Sequence, residues 1–181
     1  MPWHWSNWNN WYNFSNTYLN AYSDNASTDE NGTVSFNVLA NDSSSSSMSV
    51  THLNGITIAI GDVVVLSGGG ELTYVGNGLF TFEAGSAYDW LADGETTTES
   101  LQYTVRNTQG YVRTTSITIT LTGSNDGPVA VADAGTTSED NAVVLDVLAN
   151  DSDVDASDLL VVTAASVQSG LGSVSVAVDG S

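Results

Sequence analysis

A short loop between two apolar segments carries four aspartates. It lies in the sequence VLANDSDVDASDLLVV, residues 147–162, and contains Asp151, Asp153, Asp155 and Asp158. Two carboxylates about 4 Å apart repel each other by roughly 4 kcal/mol at an effective dielectric constant of about 20. Ca²⁺ takes about six to eight oxygen ligands in flexible geometry, whereas Mg²⁺ demands a tighter octahedron. The alternating spacing therefore predicts a cation site, with Ca²⁺ as the ion.

The overall charge agrees with a bound cation but is not specific to one. The chain has 21 Asp and Glu residues against 2 Lys and Arg residues, a formal net charge of −19. Such a chain repels itself unless something neutralises it. Salt-adapted proteins are also acidic, and aspartate favours turns for reasons of its own. Nucleic acid is not expected as a partner, because phosphate binding requires a basic surface.

Composition also bears on location. The sequence has no cysteine, which excludes disulfides and thiolate metal sites. It has no run of eighteen apolar residues, so we expect no membrane insertion. Its first twenty residues, MPWHWSNWNNWYNFSNTYLN, lack the positive and apolar regions of an ordinary signal peptide. We expect the chain to be either cytoplasmic or exported without a cleaved N-terminal signal.

An internal repeat organises the chain. A shift of 109 residues superposes the two VLAND segments and places Asp24, Glu30 and Asp42 on Asp133, Glu139 and Asp151. The repeat predicts a complete first copy at residues 20–126 and the first half of a second copy at residues 127–181. In the first copy serines 43–47 replace the later aspartates of the acidic loop, so part of the cation site is missing there.

Both copies have the pattern of short β-strands. The segments TVSFNVL, AVVLDVL and LFTF carry β-branched or aromatic residues between turns. The segment LQYTVRNTQGYVRTTSITITLTG predicts a hairpin with its turn at NTQG. Many short strands in about 100 residues predict an all-β, antiparallel immunoglobulin-like sandwich. The expected core of the first copy is Val34, Phe36, Val38, Tyr74, Phe80, Phe82, Tyr103, Val105, Ile117 and Ile119.

Residues 1–19 form an aromatic, asparagine-rich arm without formal charge. Its candidate contact residues are Trp3, Trp5, Trp8, Trp11, Tyr12 and Phe14. Each ring buries a large apolar area when it packs, so we expect the arm to dock on this chain or on a neighbour. Mixtures of aromatic residues and asparagine also suit cell-surface glycans, and a disordered leader is the remaining alternative.

The motifs VLAND, DVD, YTV and TGSNDGPVA, in this order, resemble the VCBS and cadherin-like tandem repeats of giant RTX-type bacterial surface adhesins. The resemblance covers residues 20–181. It implies exported β-sandwich modules with Ca²⁺ at their loops and junctions, and type I secretion. By resemblance to cadherin-like junctions, Asp126, Asp133 and Glu139 are expected to hold an ion at the linker. The further candidates are Asp24, Glu30, Asp42, Asp89, Asp93 and Glu95.

Enzymatic chemistry is not expected. His4 and His52 are the only histidines, and neither belongs to a Ser-His-Asp or metal-ligand pattern. Paired carboxylates for glycoside hydrolysis need a cleft, and here they lie in turns. We therefore predict a calcium-stiffened structural or adhesive module of a bacterial surface or filament protein, in contact with neighbouring repeats or subunits. The alternatives are a self-assembling filament subunit and a carbohydrate-binding module that uses the arm.

Overall fold

A computed structural model describes residues 17–176, and its first copy is a two-sheet β-sandwich. The strands are β1 (Leu19–Asn20), β2 (Asp24–Asp29), β3 (Thr33–Asn37), β4 (Ser43–Ser44), β5 (Met48–Leu53), β6 (Ile56–Thr57), β7 (Val63–Val65), β8 (Glu71–Gly76), β9 (Leu79–Glu83), β10 (Thr96–Asn107) and β11 (Val112–Thr122). A single 3₁₀ turn, Gly85–Tyr88, lies between β9 and β10. The predicted all-β, immunoglobulin-like class is confirmed.

One sheet of the sandwich has five strands and the other has four. One has the strand order β2-β11-β10-β5-β6 and the other β3-β9-β8-β7, while β1 pairs with β4. The predicted hairpin is present as β10 and β11, which pair from Thr96 with Thr122 to Arg106 with Val112. The exception to the antiparallel pattern is β2, which runs parallel to β11. The C-terminal ends of β2 and β11 therefore reach the same end of the sandwich.

The core lies between the sheets and is built from alternate residues of each strand. Eight predicted core residues are buried: Val38, Tyr74, Phe80, Phe82, Tyr103, Val105, Ile117 and Ile119. Val34 and Phe36 are only partly buried and pack against the margin of the core. The reason is that they belong to β3, an edge strand of its sheet. The ring of Phe80 occupies the centre, 4.9 Å from that of Tyr74 and 6.2 Å from that of Phe36 between centroids.

A buried carboxylate that sequence reasoning missed anchors the glycine turn before β8. Glu99 is 6% exposed, and its Oε1 accepts hydrogen bonds from Gly68 N at 2.6 Å and from Tyr88 Oη at 2.9 Å. Its Oε2 accepts a third from Ser67 Oγ at 2.8 Å. A Cβ at residue 68 would collide with this carboxylate and with the Tyr88 ring, so the turn requires glycine there. Glu99 therefore has donors for both of its oxygens.

The second copy keeps the turns of the first. The bridge between Val129 and Ser152 falls 109 residues after the pairing of Asn20 with Ser43. Several hydrogen bonds repeat at the same offset. The bond from Tyr22 N to Asp42 Oδ1 (2.8 Å) recurs as Val131 N to Asp151 Oδ1 (2.7 Å), and that from Leu39 N to Asn37 Oδ1 (2.9 Å) recurs as Leu148 N to Asp146 Oδ1 (3.3 Å). The bond from Gly32 N to Asp29 O (2.9 Å) recurs as Asn141 N to Ser138 O (3.2 Å). The sequence repeat is thus also a repeat of backbone geometry.

The strand expected at AVVLDVL, residues 142–148, does not form within residues 127–176. Its first-copy equivalent, β3, pairs with β9, whereas no strand pairs with residues 142–148 in the described part of the chain. A strand without a neighbour leaves its backbone N–H and C=O groups unpaired. Apolar residues of this copy are correspondingly open to solvent, with Val144 79% and Leu159 89% exposed.

The position of Phe80 generates a stability prediction. Phe80→Ala is expected to lower the free energy of unfolding by about 3–5 kcal/mol, because burial of the ring is lost and a cavity remains. Thr98→Ala, on the exposed face of β10, serves as the control and is expected to change it by less than about 0.5 kcal/mol. Urea unfolding followed by circular dichroism measures both. A cost below about 1 kcal/mol for Phe80→Ala would contradict its central position.

Candidate metal centre at the junction

Three strand ends meet where the chain leaves the first copy, at what we call the trailing end of the sandwich. Glu30 follows β2, and its N donates to Thr122 O of the parallel strand β11 at 2.9 Å. β10 begins at the same end, where Gly123 N donates to Glu95 O at 2.8 Å. A Cβ at Gly123 would collide with the carbonyl oxygens of Leu91 and Ala92, so this approach depends on glycine. The topology thus collects acidic residues from separate segments.

Glu30 is the most deeply buried of these acids, with 0% of its surface exposed. Its Oε1 accepts hydrogen bonds from Ser124 N at 3.0 Å and Ser124 Oγ at 2.7 Å. Its Oε2 is buried without a hydrogen-bond partner. A buried carboxylate oxygen without a donor destabilises the fold, and a bound cation or proton removes that cost.

Asp155 reaches the same region from the second copy. It is 2% exposed, and its Oδ2 accepts a hydrogen bond from Asp126 N of the linker at 2.9 Å. Its Oδ1 is buried without a partner, as is Oε2 of Glu30. The next residue, Ala156, donates its N–H to Trp90 O at 3.0 Å. The acidic loop therefore docks on the linker and on the loop that follows the 3₁₀ turn.

The charges at this end act on one another. Asp89, beside Trp90, also has a buried oxygen without a hydrogen-bond partner, Oδ1, as Glu30 and Asp155 do. Partial desolvation raises the pKa of Asp126, and repulsion from Asp155, Glu30, Asp89 and Asp153 raises it further. The four acids that repel Asp126 lie close to it and form one set with it. We call Glu30, Asp89, Asp126, Asp153 and Asp155 the junction cluster.

Other predicted ligands extend the cluster. Partial desolvation raises the pKa of Asp158, and the charges of Asp155, Asp153, Glu95 and Asp93 raise it further. A cleft of about 350 Å³ beside the linker is lined in part by Asp126, Asp151, Asp153 and Asp158. The structure therefore places these predicted residues of the acidic loop and the linker together.

Four predicted ligands lie elsewhere. Asp133 and Glu139 are exposed, and neither contributes to the raised pKa of Asp126 or Asp158. Asp24 and Asp42 lie at the opposite, leading end of the sandwich, where Asp24 Oδ2 accepts from Tyr103 Oη at 2.7 Å. Burial raises the pKa of Asp24, the hydrogen bond from Tyr103 opposes this shift, and the charge of Asp42 adds to it.

The junction cluster does not stand as a finished metal centre. Within residues 17–176, no group of three or more histidine, aspartate or glutamate side chains is arranged so that it could hold a metal ion. The cluster offers instead three buried carboxylate oxygens without hydrogen-bond donors, from Glu30, Asp89 and Asp155. Trp3, Trp5, Trp8, Trp11, Tyr12 and Phe14, the predicted contact residues of the arm, lie outside the described residues.

Sequence reasoning missed Ser124 and Trp90. Ser124 provides both donors for Glu30, and its place directly between β11 and Asp126 was the signal that could have identified it. Trp90 contributes its backbone carbonyl, which no residue-type pattern reveals.

The bacterial Ig domain family model matches residues 16–120 and 125–181. The match covers most of the chain, and the chain therefore belongs to this family. The second matched segment begins at residue 125, directly before Asp126. Bacterial Ig domains are typically non-catalytic structural modules and are commonly extracellular or at the cell surface. The comparison with curated proteins found no match to the chain. Within residues 17–176, no helix is long and apolar enough to cross a membrane.

The raised pKa of Asp24 generates a pH prediction. The carboxyl group of Asp24 binds a proton more tightly in the folded state than a carboxyl group with the ordinary pKa of 3.8 does. The resulting stability is present at low pH and is lost as pH rises through the folded-state pKa. Asp24→Asn keeps an acceptor for Tyr103 and removes the charge, so it is expected to weaken this loss of stability.

Urea unfolding between about pH 4 and pH 7 in the presence of a chelator measures the effect. Glu83→Gln is the charge-matched control, because Glu83 is exposed at the end of β9. Identical pH profiles for the two variants would show that Asp24 has no special role.

Proposed function

We propose that this chain is part of a bacterial surface or filament protein built from VCBS- or cadherin-like repeats, and that Ca²⁺ at the junction cluster stiffens the joint between consecutive modules. The role is structural or adhesive and non-catalytic. The observation that carries the proposal is the set of buried carboxylate oxygens without donors on Glu30, Asp89 and Asp155, which come from both sides of the linker.

Electrostatics supports a cation at this place. The raised pKa of Asp126 reflects repulsion from four other acids of the cluster after partial desolvation. A divalent ion would turn that repulsion into attraction and would hold the acids in their ionised form. Protonation of a carboxylate would also relieve the repulsion, but it requires a low pH, whereas a bound cation does not.

Ca²⁺ suits the donor set better than other common ions. The donors are carboxylates, and hard oxygen ligands of this kind favour Ca²⁺ or Mg²⁺ over Zn²⁺. The carboxylates come from four separate stretches, around Glu30, Asp89, Asp126 and the loop of Asp153 and Asp155. Ca²⁺ tolerates the variable distances of such a set, whereas Mg²⁺ prefers a compact octahedron.

An ion here would reinforce contacts that already join the two copies. The linker is fixed by the hydrogen bond from Asp126 N to Asp155 Oδ2, and the acidic loop by the bond from Ala156 N to Trp90 O. Pro128 restricts the linker further, because its ring fixes φ. Ligands from both copies around one ion would limit bending between them, which is the property a long surface protein needs.

The proposal predicts calcium-dependent stability. Metal-stripped protein is expected to bind Ca²⁺ with a dissociation constant of about 10⁻⁴ to 10⁻³ M. At about 10 mM Ca²⁺ the weaker value corresponds to a stabilisation of about 1.4 kcal/mol. Isothermal titration calorimetry measures the binding, and differential scanning calorimetry measures the rise in melting temperature.

Asp155→Asn is expected to abolish both effects, because it removes the buried charge but keeps an acceptor for Asp126 N. Glu83→Gln removes one exposed charge away from the junction and is expected to retain both effects. No binding heat and no melting shift in the unmodified chain would reject the proposal. An equal loss in both variants, or an equal response to Mg²⁺, would indicate general charge screening instead of a site.

A further inference from the structure

The leading end of the first copy repeats the geometry of the acidic loop with hydroxyl groups in place of carboxylates. Ser44 and Ser46 fall on Asp153 and Asp155 at the 109-residue offset. Ser46 N donates to Ser44 Oγ at 3.3 Å, just as Asp155 N donates to Asp153 Oδ1 at 3.1 Å. The loop therefore closes by the same contact in both copies, and only the charge differs.

The hydroxyl of Ser44 is fully used within the protein. It accepts hydrogen bonds from Ser46 N and from Asn107 Nδ2, the latter at 3.0 Å, and it donates to Tyr18 O at 3.2 Å. A serine hydroxyl has one donor and two acceptor positions, so no lone pair remains for an ion. Its counterpart in the second copy, Asp153, has a carboxylate with further acceptor capacity.

Asn107 completes this neutral network. It is 3% exposed, and its Oδ1 accepts hydrogen bonds from Gln109 N at 3.1 Å and from Tyr111 N at 2.9 Å. Its Nδ2 donates to Ser44 and to Tyr18 O at 3.3 Å. An amide satisfies donors and acceptors together without a counter-ion, which an aspartate at this position would not do.

The position that corresponds to Asp126 at the leading end is also neutral. At the trailing end, Glu30, Asp89 and Asp126 come from the copy that precedes the acidic loop, and at the leading end the equivalent of Asp126 is Thr17. Thr17 Oγ1 makes a hydrogen bond with Tyr111 Oη at 2.8 Å. Residues 1–16 contain no aspartate or glutamate.

The nearby acids at the leading end are already engaged in the fold. Asp24 accepts from Tyr103 Oη, and Asp42 Oδ1 accepts from Tyr22 N at 2.8 Å. Asp42 keeps one buried oxygen without a donor. One such oxygen is far short of the about six to eight oxygens that Ca²⁺ takes.

We infer that Ca²⁺ binds at only one of the two ends of the first copy. The trailing end of the first copy responds to Ca²⁺, and the leading end is closed by neutral hydrogen bonds and needs no cation. This inference deepens the proposed function and rests on it for the trailing end.

The first test is amide hydrogen exchange of the full chain with Ca²⁺ and with a chelator, read by mass spectrometry. At about 10 mM Ca²⁺ and a dissociation constant of about 10⁻³ M, protection at residues 124–126 and 153–158 is expected to rise about tenfold. Residues 44–47 and 107–111 are expected to keep their protection unchanged. A calcium-dependent change at these leading residues would overturn the inference, even where the trailing residues respond and the proposed function holds.

The second test decides the inference without relying on the trailing site. Ser46→Asp places a carboxylate beside the closed network and is expected to lower the melting temperature by the same amount in Ca²⁺ and in chelator. Ser46→Ala is the matched control and is expected to leave it unchanged, because Ser46 Oγ is buried without a partner. If Ca²⁺ restored the melting temperature of the Ser46→Asp variant, the leading end would accept a cation and the inference would be overturned. The proposed function fails separately, when residues 124–126 and 153–158 do not respond to Ca²⁺.

Discussion

Uncompensated negative charge is the constraint on which this structure depends. With 21 acidic residues and 2 arginines or lysines, few buried carboxylates can be neutralised by a basic side chain. The fold answers with hydrogen bonds to backbone amides and hydroxyl groups, which are stronger when the acceptor is charged. Glu99 shows this arrangement completed, since Gly68 N, Tyr88 Oη and Ser67 Oγ serve both of its oxygens. In Glu30 and Asp155 only one oxygen accepts hydrogen bonds, and the other is buried without a donor. The difference separates a carboxylate that anchors a loop from carboxylates that are open to an ion.

The sheet topology converts this local difference into a site. Because β2 and β11 are parallel neighbours, residues 30 and 124 meet at the end where the linker begins. β10 runs antiparallel to β11, so its N-terminal end and Glu95 lie there as well. Antiparallel pairing of β2 with β11 would have moved Glu30 to the leading end of the sandwich. The junction cluster is therefore a consequence of strand direction as much as of residue type.

The sequence predicted the parts of this protein that local patterns determine. Alternation identified the β10–β11 hairpin and the buried face that holds Tyr103, Ile117 and Ile119. Alternation did not reveal that β2 pairs in parallel with β11, because pairing between distant strands depends on tertiary structure. It therefore did not identify Ser124 as the partner of Glu30. Edge position also explains why Phe36 is less buried than its pattern implied. The 109-residue equivalence alone could not show that Asp133 and Glu139 are exposed, since exposure depends on the surrounding strands.

The two copies of the loop together explain why the aspartates of the second copy require a role beyond loop structure. In the first copy a hydroxyl at residue 44 accepts the amide of residue 46, and in the second a carboxylate at residue 153 accepts that of residue 155. The serine version closes the loop without charge, so loop geometry does not depend on Asp153 or Asp155. Their carboxylates repel that of Asp126, and Asp155 adds the desolvation of an oxygen without a donor. A feature that destabilises the fold and is not needed for its geometry is typical of a binding site. At the leading end the residue equivalent to Asp153 is Ser44, whose hydroxyl group has a partner for each of its hydrogen-bonding positions, whereas Glu30 and Asp155 at the trailing end each keep a buried oxygen without a donor.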